Sequence, residues 1–281
     1  MNYSSLFSSL TDGTSSSATL LGTLYGTTPG QGLGAANPLQ ALQTAELNET
    51  KDIAQTAKDP AVARDLAAFK SAVASAKDAA SLLKNPTVMK VLLTANGLSD
   101  QIPYTALATK ALLSDATNSA SLVSKLNAAD SRWKPVTQTY DFAHKGLTVL
   151  RQSGVLASVA NAYAEVTWRK SLDATTPGLS SALDFRSRAN TVKNADQVLG
   201  DPILRDVITT ALGIPQQIAF QSLTAQEHAI NVRLDFGKLK DKHFVDTLTQ
   251  QYLLNKANAA NPQSSQPTLD QLSARSSGLI V

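Results

Sequence analysis

The sequence has no cysteine, few aromatic residues and few charged residues. Without cysteine the chain forms no disulfide bond, no thiolate metal site and no thiol nucleophile. Aromatic residues make up 5% and charged residues 17% of the 281 positions, whereas about 25% of residues are charged in typical soluble domains. This composition favours helices that pack through small residues and a surface that is polar but weakly charged.

Long apolar runs and a secretory leader are also missing. No apolar run approaches the ~20 residues that a membrane-spanning helix needs, so we predict no membrane insertion. The N-terminus lacks the basic start and apolar core of a signal peptide, because Lys51 is the first lysine and Asp12 is the only charged side chain before Glu46. The sequence leaves open whether the protein stays in the cytoplasm or is exported by another route.

What the chain does contain is a repeat of its own sequence. Phe69–Ile102 and Phe185–Ile218 align without a gap at an offset of 116 residues, and 12 of the 34 aligned positions are identical. About three identities are expected between unrelated stretches of this composition. The repeat therefore predicts two structurally related units.

Each copy carries the same helix signals. A helix starts where Asn or Asp precedes Pro86 or Pro202, since these side chains cap a helix and proline suits its first position. The same helix stops at Gly97 or Gly213, where glycine most easily adopts a left-handed conformation. Alternating β-branched runs that would predict a sheet are absent from the sequence.

A looser pattern extends the repeat beyond these copies. Residues 130–133, Asp-Ser-Arg-Trp, are matched by residues 241–244, Asp-Lys-His-Phe, which gives a unit of about 80 residues. We interpret eight residues as structural anchors of the two units: Phe69, Phe185, Pro86, Pro202, Gly97, Gly213, Trp133 and Phe244.

The predicted fold is all-α, an internally duplicated, pseudo-two-fold helical bundle with flexible N- and C-terminal segments. One body is expected, because neither unit has a polar outer face on all its helices. The predicted organisation is a flexible Ser/Thr/Gly-rich segment at 1–36, a helical body at 37–258 with units at about 60–142 and 176–254 bridged by a helix at 154–172, and a flexible tail at 259–281.

Candidate chemistry is sparse. His144, His228 and His243 have no metal-binding spacing to one another or to a carboxylate. Neither a Gly-x-Ser-x-Gly nucleophile motif nor a Gly-x-x-x-x-Gly-Lys phosphate loop occurs. We therefore predict no catalytic, cofactor-binding or metal-binding residue, no cofactor, and a protein that is not an enzyme.

The basic residues do not predict a nucleic-acid site. The formal net charge is +3, and the densest basic cluster consists of Arg186, Arg188 and Lys193. No aromatic side chains that could stack on bases accompany this cluster. We therefore expect a protein partner and no nucleic acid; the oligomeric state does not follow from the sequence.

Five motifs at helix caps and packing positions belong together. They are the pattern F(x)7K-x-A-x3-L-x2-P from Phe69 to Pro86, the stop at residues 94–98, the Asp-Ser-Arg-Trp motif at 130–133, the helix with Tyr163 and Trp168, and Leu-Asp-Phe-Arg at 183–186. With these motifs the sequence resembles, over roughly residues 50–255, a bacterial family of unknown function that is often encoded among flagellar genes.

This resemblance implies an association with the flagellum. Flagellar export substrates typically have uncharged, Ser-rich N-termini and are low in cysteine, and this chain is similar in both respects. The main hypothesis is a non-enzymatic structural or assembly protein of the flagellum with a flagellar protein as partner, and, as an extension, an export substrate. The alternatives are a cytoplasmic helical adaptor or chaperone that binds a protein between its two units, and an unrecognised enzyme.

Overall fold

The computed structural model describes residues 37–260, and this part of the chain contains helices and no strand. The all-α prediction is confirmed. The α-helices are α1 (Pro38–Thr56), α2 (Pro60–Ser75), α3 (Ala79–Leu82), α4 (Pro86–Ala95), α5 (Thr105–Leu112), α6 (Leu122–Asn127), α7 (Trp133–Tyr140), α8 (Phe142–Lys145), α9 (Ser153–Leu172), α10 (Leu179–Arg188), α11 (Ala195–Leu199), α12 (Pro202–Ala211), α13 (Leu223–Asn231) and α14 (Lys242–Ala260). Short 3₁₀ helices span Ser99–Tyr104, Ala189–Thr191, Gln216–Phe220 and Phe236–Lys240.

The C-terminal boundary of the helical body differs from the predicted one. Residues 259 and 260 belong to the last turn of α14, so the body extends past the predicted boundary at 258. The predicted flexibility of residues 1–36 and 261–281 lies outside the described residues.

Four helices begin with a capping Asn or Asp followed by proline, including the two predicted in the repeat. The side chains of Asn37, Asp59, Asn85 and Asp201 each accept a hydrogen bond from a backbone N–H of the first helical turn. The shortest of these bonds at each helix measures 2.9 or 3.0 Å. Such a cap stabilises a helix by about 1 kcal/mol, and proline at the next position removes an N–H that would have had no helical partner.

The two glycine stops have the same geometry. Gly97 and Gly213 have φ angles of +71° and +61°. The amide of the next residue, Leu98 or Ile214, donates to the carbonyl five positions earlier at 2.7 or 2.8 Å. The side chains of Leu98 and Ile214 are both buried, so α4 and α12 each end in a Schellman motif with its hydrophobic contact.

The helices surround two apolar cores that share α9. The first core contains Phe69 and residues of α2 to α9, and the second contains Phe185 and residues of α10 to α14. In α9, Val159 and Tyr163 belong to the first core and Trp168 to the second. The predicted bridge at 154–172 is therefore a helix, α9, that contributes buried side chains to both cores.

Helix α1 also joins the two halves. It contacts α9, α10 and α14, and its residues Leu42 and Ala45 are buried in the second core. Ile53, one helical turn from the end of α1, packs against both cores. The first helix of the described chain thus lies across the junction of the two units.

The two units follow the same order of elements only in part. Helices α2, α3 and α4 correspond in order to α10, α11 and α12. Helix α9 packs on α4, whereas α14 packs on α12. Trp133 is buried at the start of α7, which packs on α6, whereas Phe244 is half-buried in α14, which packs on α12. The predicted equivalence of Trp133 and Phe244 therefore does not extend to their packing, and duplication of the whole unit stays a prediction.

Candidate functional site

The repeat anchors are packing and turn positions. Phe69 and Phe185 are fully buried, one in each core. Pro86 and Pro202 are the first residues of α4 and α12. Each of the four side chains therefore supports the packing or a helix start within its own unit, and none offers a polar group to a ligand.

A tyrosine of the covering helix binds a carboxylate in each unit. The Tyr163 hydroxyl of α9 donates to Asp65 at 2.7 Å, and Lys90 of α4 binds the same carboxylate at 2.6 Å. Burial raises the pKa of Asp65, but the hydrogen bonds from Lys90 and Tyr163 outweigh burial and hold that pKa below its usual value. The charged pair of Asp65 and Lys90, together with the neutral hydroxyl of Tyr163, links α2, α4 and α9.

The second unit has a related arrangement with the carboxylate on the other helix. The Tyr252 hydroxyl of α14 donates to Asp206 of α12 at 2.8 Å, and Lys256 binds the other oxygen of Asp206 at 2.9 Å. Burial and then the negative charge of Asp206 raise the pKa of Tyr252 far above its usual value. Tyr252 is therefore a neutral hydrogen-bond donor that positions α14, and it is not an acid or base at ordinary pH.

The three histidines lie apart in chemically ordinary settings. His144 has its ring Nδ1 2.7 Å from the carboxylate of Asp141, and the hydrogen bond to Asp141 raises the pKa of His144. His228 and His243 are exposed on α13 and α14. Within residues 37–260 no group of three His, Asp or Glu side chains is placed to hold a metal ion.

The junction of the units carries a row of paired arginines, which we call the arginine seam: Arg132, Arg169, Arg186 and Arg188. Arg132 is buried and binds Asp130 at 2.7 Å and Asp100 at 2.9 Å, and it also donates to the carbonyl of Gly97 at 2.5 Å. Burial lowers the pKa of Arg132, but the two carboxylates outweigh burial and raise it. Arg132 thereby ties the start of α7 to the end of α4.

The other seam arginines connect α10 to its neighbours. Arg186 pairs with Glu46 of α1 and with Asp246 of α14, the latter at 2.6 Å. Arg188 binds Asp184 at 2.6 Å and Asp201, the cap of α12, at 2.5 Å. The basic cluster seen in the sequence is therefore largely neutralised within the fold.

Arg169 links α9 to the second unit. It pairs with Glu165 on its own helix and lies 3.7 Å from Asp184 of α10 and 3.6 Å from Glu49 of α1. A cavity of about 290 Å³ lies beside this arginine and is lined by residues of α9, α10 and the end of α4. Because eight carboxylates pair with the four seam arginines, the seam is no site for an anion.

A larger cleft, the inter-unit groove, lies between the two halves and has a volume of about 620 Å³. One wall comes from residues 127–138 of the first unit, and the other comes from residues 194–205 together with Leu223 and Gln226 of the second. A backbone hydrogen bond of 2.7 Å from Ser131 to the carbonyl of Gly200 joins the walls.

Glycine at position 200 allows this approach. A Cβ atom there would lie 3.1 Å from the carbonyl oxygen of Asp196 and 3.2 Å from Cβ of Ser131. Both distances are tighter than ordinary van der Waals contact. The groove thus depends on close backbone contact between the units.

Side-chain amides dominate the polar lining of the groove. Five of its residues are Asn or Gln, and each amide has both a donor and an acceptor group; they are Asn127, Gln138, Asn194, Gln197 and Gln226. Several also cap local backbone groups, as when Asn194 accepts from the amide of Gln197 at 3.0 Å. The basic side chains of Lys134 and Arg205 and the carboxylate of Asp196 complete the charged part of the lining.

Comparison with known families identifies the chain. Residues 95–245, more than half of its length, match the family described as "Protein of unknown function (DUF1217)". The chain belongs to this family. The DUF1217 match begins at the end of α4 and includes every residue that lines the inter-unit groove, whereas the first anchors, Phe69 and Pro86, lie before it.

A solved structure shows the same fold. The X-ray crystal structure of a protein from Agrobacterium tumefaciens, determined by the Northeast Structural Genomics Consortium, is 22% identical in sequence and has a TM-score of 0.67. The alignment covers 78% of this chain and 92% of the other. At this identity the likeness concerns the fold alone. No protein with a curated description matches the chain.

The arginine seam and the residues that line the groove are two features that the sequence patterns do not predict. Asp184 and Arg188 stand four positions apart, which is a signal of local pairing, but the distant partners Asp201 and Glu46 depend on how the helices pack. No helix of residues 37–260 has the length and apolar character needed to span a membrane.

Proposed function

We propose that this DUF1217 protein is a non-enzymatic structural or assembly protein of the bacterial flagellum and that it binds another protein in the inter-unit groove. The groove is the observation that carries the proposal, because it is larger than the cavity beside Arg169 and is built by both units. The flagellar setting is supported by the resemblance of the sequence motifs to proteins encoded among flagellar genes.

The lining of the groove fits a polypeptide better than a small metabolite. Small-molecule pockets are mostly apolar and aromatic with a few polar groups that converge. This groove has no aromatic lining residue, and its amides are distributed along both walls. Side-chain amides can pair with the N–H and C=O groups of a peptide backbone, so an extended segment or helix end of a partner suits the lining.

Export through the flagellar apparatus is an extension of this proposal. Residues 1–36 carry one charged side chain, Asp12, and many Ser, Thr and Gly residues, a composition similar to that of export addresses. Deletion of residues 1–36 should abolish secretion into the medium, as measured by fractionation of motile cells. Unchanged secretion and fractionation of the truncated protein would rule out the export version.

A cytoplasmic adaptor or chaperone is the second candidate, and the same groove favours it. This role predicts retention in the cytosol with one co-purifying partner, whereas the structural role predicts recovery with the basal body or in the medium. Fractionation of motile cells, combined with affinity capture of the native protein, distinguishes the two.

A single substitution tests whether the groove binds the partner. Gln138 is exposed on the groove wall, so Gln138→Arg should introduce a bulky charge and reduce recovery of the partner by about tenfold or more. Gln250→Arg, at an exposed position of α14 away from the groove, is the matched control. Equal recovery by both variants would show that the groove is not the binding surface.

A further inference from the structure

Each unit exposes an aromatic residue followed three positions later by a leucine. We call Phe220 and Leu223 the second-unit pair, and Tyr104 and Leu107 the first-unit pair. Their exposed fractions are 92% and 59% in the second unit and 61% and 37% in the first. The two pairs are separated by 116 residues, the offset of the sequence repeat.

The recurrence of these pairs needs an explanation other than core packing. A single exposed apolar residue is ordinary on a protein surface. Here an aromatic residue and a leucine recur at the offset of the sequence repeat and are exposed in both places, where burying them against another surface would be favourable. The pairs therefore have the properties of contact positions.

Only the second-unit pair adjoins the inter-unit groove. Leu223 is a lining residue of that groove, and Phe220 ends the 3₁₀ helix just before it. The first-unit pair, Tyr104 and Leu107, lies outside the lining of either cavity described above. The second-unit pair thus forms an apolar part of the rim of this cleft.

We propose that residues 20–25 of the same chain, Leu-Leu-Gly-Thr-Leu-Tyr, dock on the second-unit pair and cover the adjoining rim of the groove. This inference does not depend on the proposed partner. The four apolar side chains of the segment stand at positions 20, 21, 24 and 25, a spacing that would place them on one side of a helix. No charged residue lies between Asp12 and Glu46, so docking on an apolar rim would bury no charge.

The length of the intervening chain and its entry point favour this segment. Leu42 of α1 is buried in the second core, so the chain enters the described body at the second unit. Asn37 follows Tyr25 by 12 residues, which span at most about 40 Å, whereas a body of this size has a radius of gyration of about 17 Å. A tether of this length gives an effective concentration in the millimolar range, which favours the tethered segment over a second copy of the protein.

The absence of native cysteine permits a direct cross-linking test. In full-length protein, Thr23→Cys places a thiol within the proposed segment, and Gln221→Cys places one between Phe220 and Leu223. Thr105→Cys is the matched control because residue 105 is exposed and lies at the equivalent position of the first unit. We expect the intramolecular disulfide between positions 23 and 221 to form about tenfold faster than the one between positions 23 and 105.

Substitution of the pair checks that apolar contact, and not proximity alone, drives the reaction. Phe220→Ser combined with Leu223→Ser should remove the tenfold preference, and Tyr104→Ser combined with Leu107→Ser should leave it unchanged. Equal rates for the two double-cysteine variants, or a preference that survives Phe220→Ser and Leu223→Ser, would overturn the proposal.

Mixing isotope-labelled and unlabelled protein identifies the source of the thiol. Disulfides within one chain support docking in cis. Disulfides that join labelled to unlabelled chains would show that a second copy occupies the rim, and they too would overturn the proposal.

Discussion

Asp201 shows how one residue combines a structural cap with a charge. Its carboxylate accepts hydrogen bonds from the backbone amides of Ile203 and Leu204 at 2.9 and 3.1 Å and also binds Arg188. Burial raises its pKa, but Arg188 outweighs burial and holds the pKa of Asp201 below its usual value. The same side chain therefore starts α12 and anchors one end of the arginine seam.

Asp201→Asn separates these two contributions, because asparagine caps a helix about as well as aspartate. At pH 7 we expect the free energy of unfolding to fall by about 1–3 kcal/mol. A depressed folded-state pKa stabilises the protein above the unfolded-state pKa, and this stabilisation is lost as pH falls through the folded-state pKa. The difference between wild type and variant in urea denaturation should therefore shrink below about pH 4.

The control is Asp59→Asn at the exposed cap of α2. This substitution also keeps a capping side chain, and we expect its effect at pH 7 to stay within about 0.5 kcal/mol. A deficit of Asp201→Asn that is the same at pH 7 and pH 3 would contradict the role assigned to the Arg188 pair.

At the scale of single helices, starts and stops are predictable from the sequence because both depend on local chemistry. The caps at Asn85 and Asp201 and the stops at Gly97 and Gly213 involve neighbours within five residues. The cross-helix pairing of Arg186 depends on tertiary packing, and no local pattern specifies it. The sequence suggested binding between the two units only as an alternative, and it did not identify the residues that line the groove, since residues 127–138 and 194–205, which form its walls, are far apart in sequence.

The glycine stops of α4 and α12 provide a matched pair of substitutions. Gly97→Ala and Gly213→Ala should each lower the free energy of unfolding by about 1–2 kcal/mol, because a left-handed backbone is unfavourable for alanine. A Cβ atom at either position would meet no atom within 4 Å, so the two costs should be alike. Thermal or urea denaturation of the two variants measures them.

Gly154→Ala is the control for this pair. Gly154 lies in the first turn of α9, and a Cβ atom there would also meet no atom within 4 Å. Alanine is the better helix former by up to about 1 kcal/mol, so we expect this variant to be at least as stable as wild type. A destabilisation of Gly97→Ala without one of Gly213→Ala would count against equivalent stops in the two units.

At the scale of the whole molecule, two cores are held together by shared helices and by close backbone contact. Helices α9 and α1 contribute side chains to both cores or lie against both, and the seam arginines add directional ion pairs at the same junction. The inter-unit groove therefore lies at a junction that shared helices, ion pairs and a backbone hydrogen bond hold in place. Its shape should respond to changes in that junction even when the cores are intact.

Gly200→Ala tests this dependence of the groove on the junction. The new methyl group would lie 3.1 Å from the carbonyl of Asp196 and 3.2 Å from Ser131, so the two walls must move apart by a few tenths of an ångström. This shift should weaken the hydrogen bond from the Ser131 amide to the Gly200 carbonyl and lower the free energy of unfolding by about 1–2 kcal/mol.

Hydrogen exchange locates the effect of Gly200→Ala within the fold. Exchange at the Ser131 amide should become faster in the variant, because that amide loses its partner across the junction. Amides in the interior of α4, which lies in the first core, should keep their order of protection relative to one another. Unchanged exchange at Ser131 would mean that the walls tolerate the methyl group, and the groove would then owe its shape to the shared helices α9 and α1 and not to close contact at Gly200.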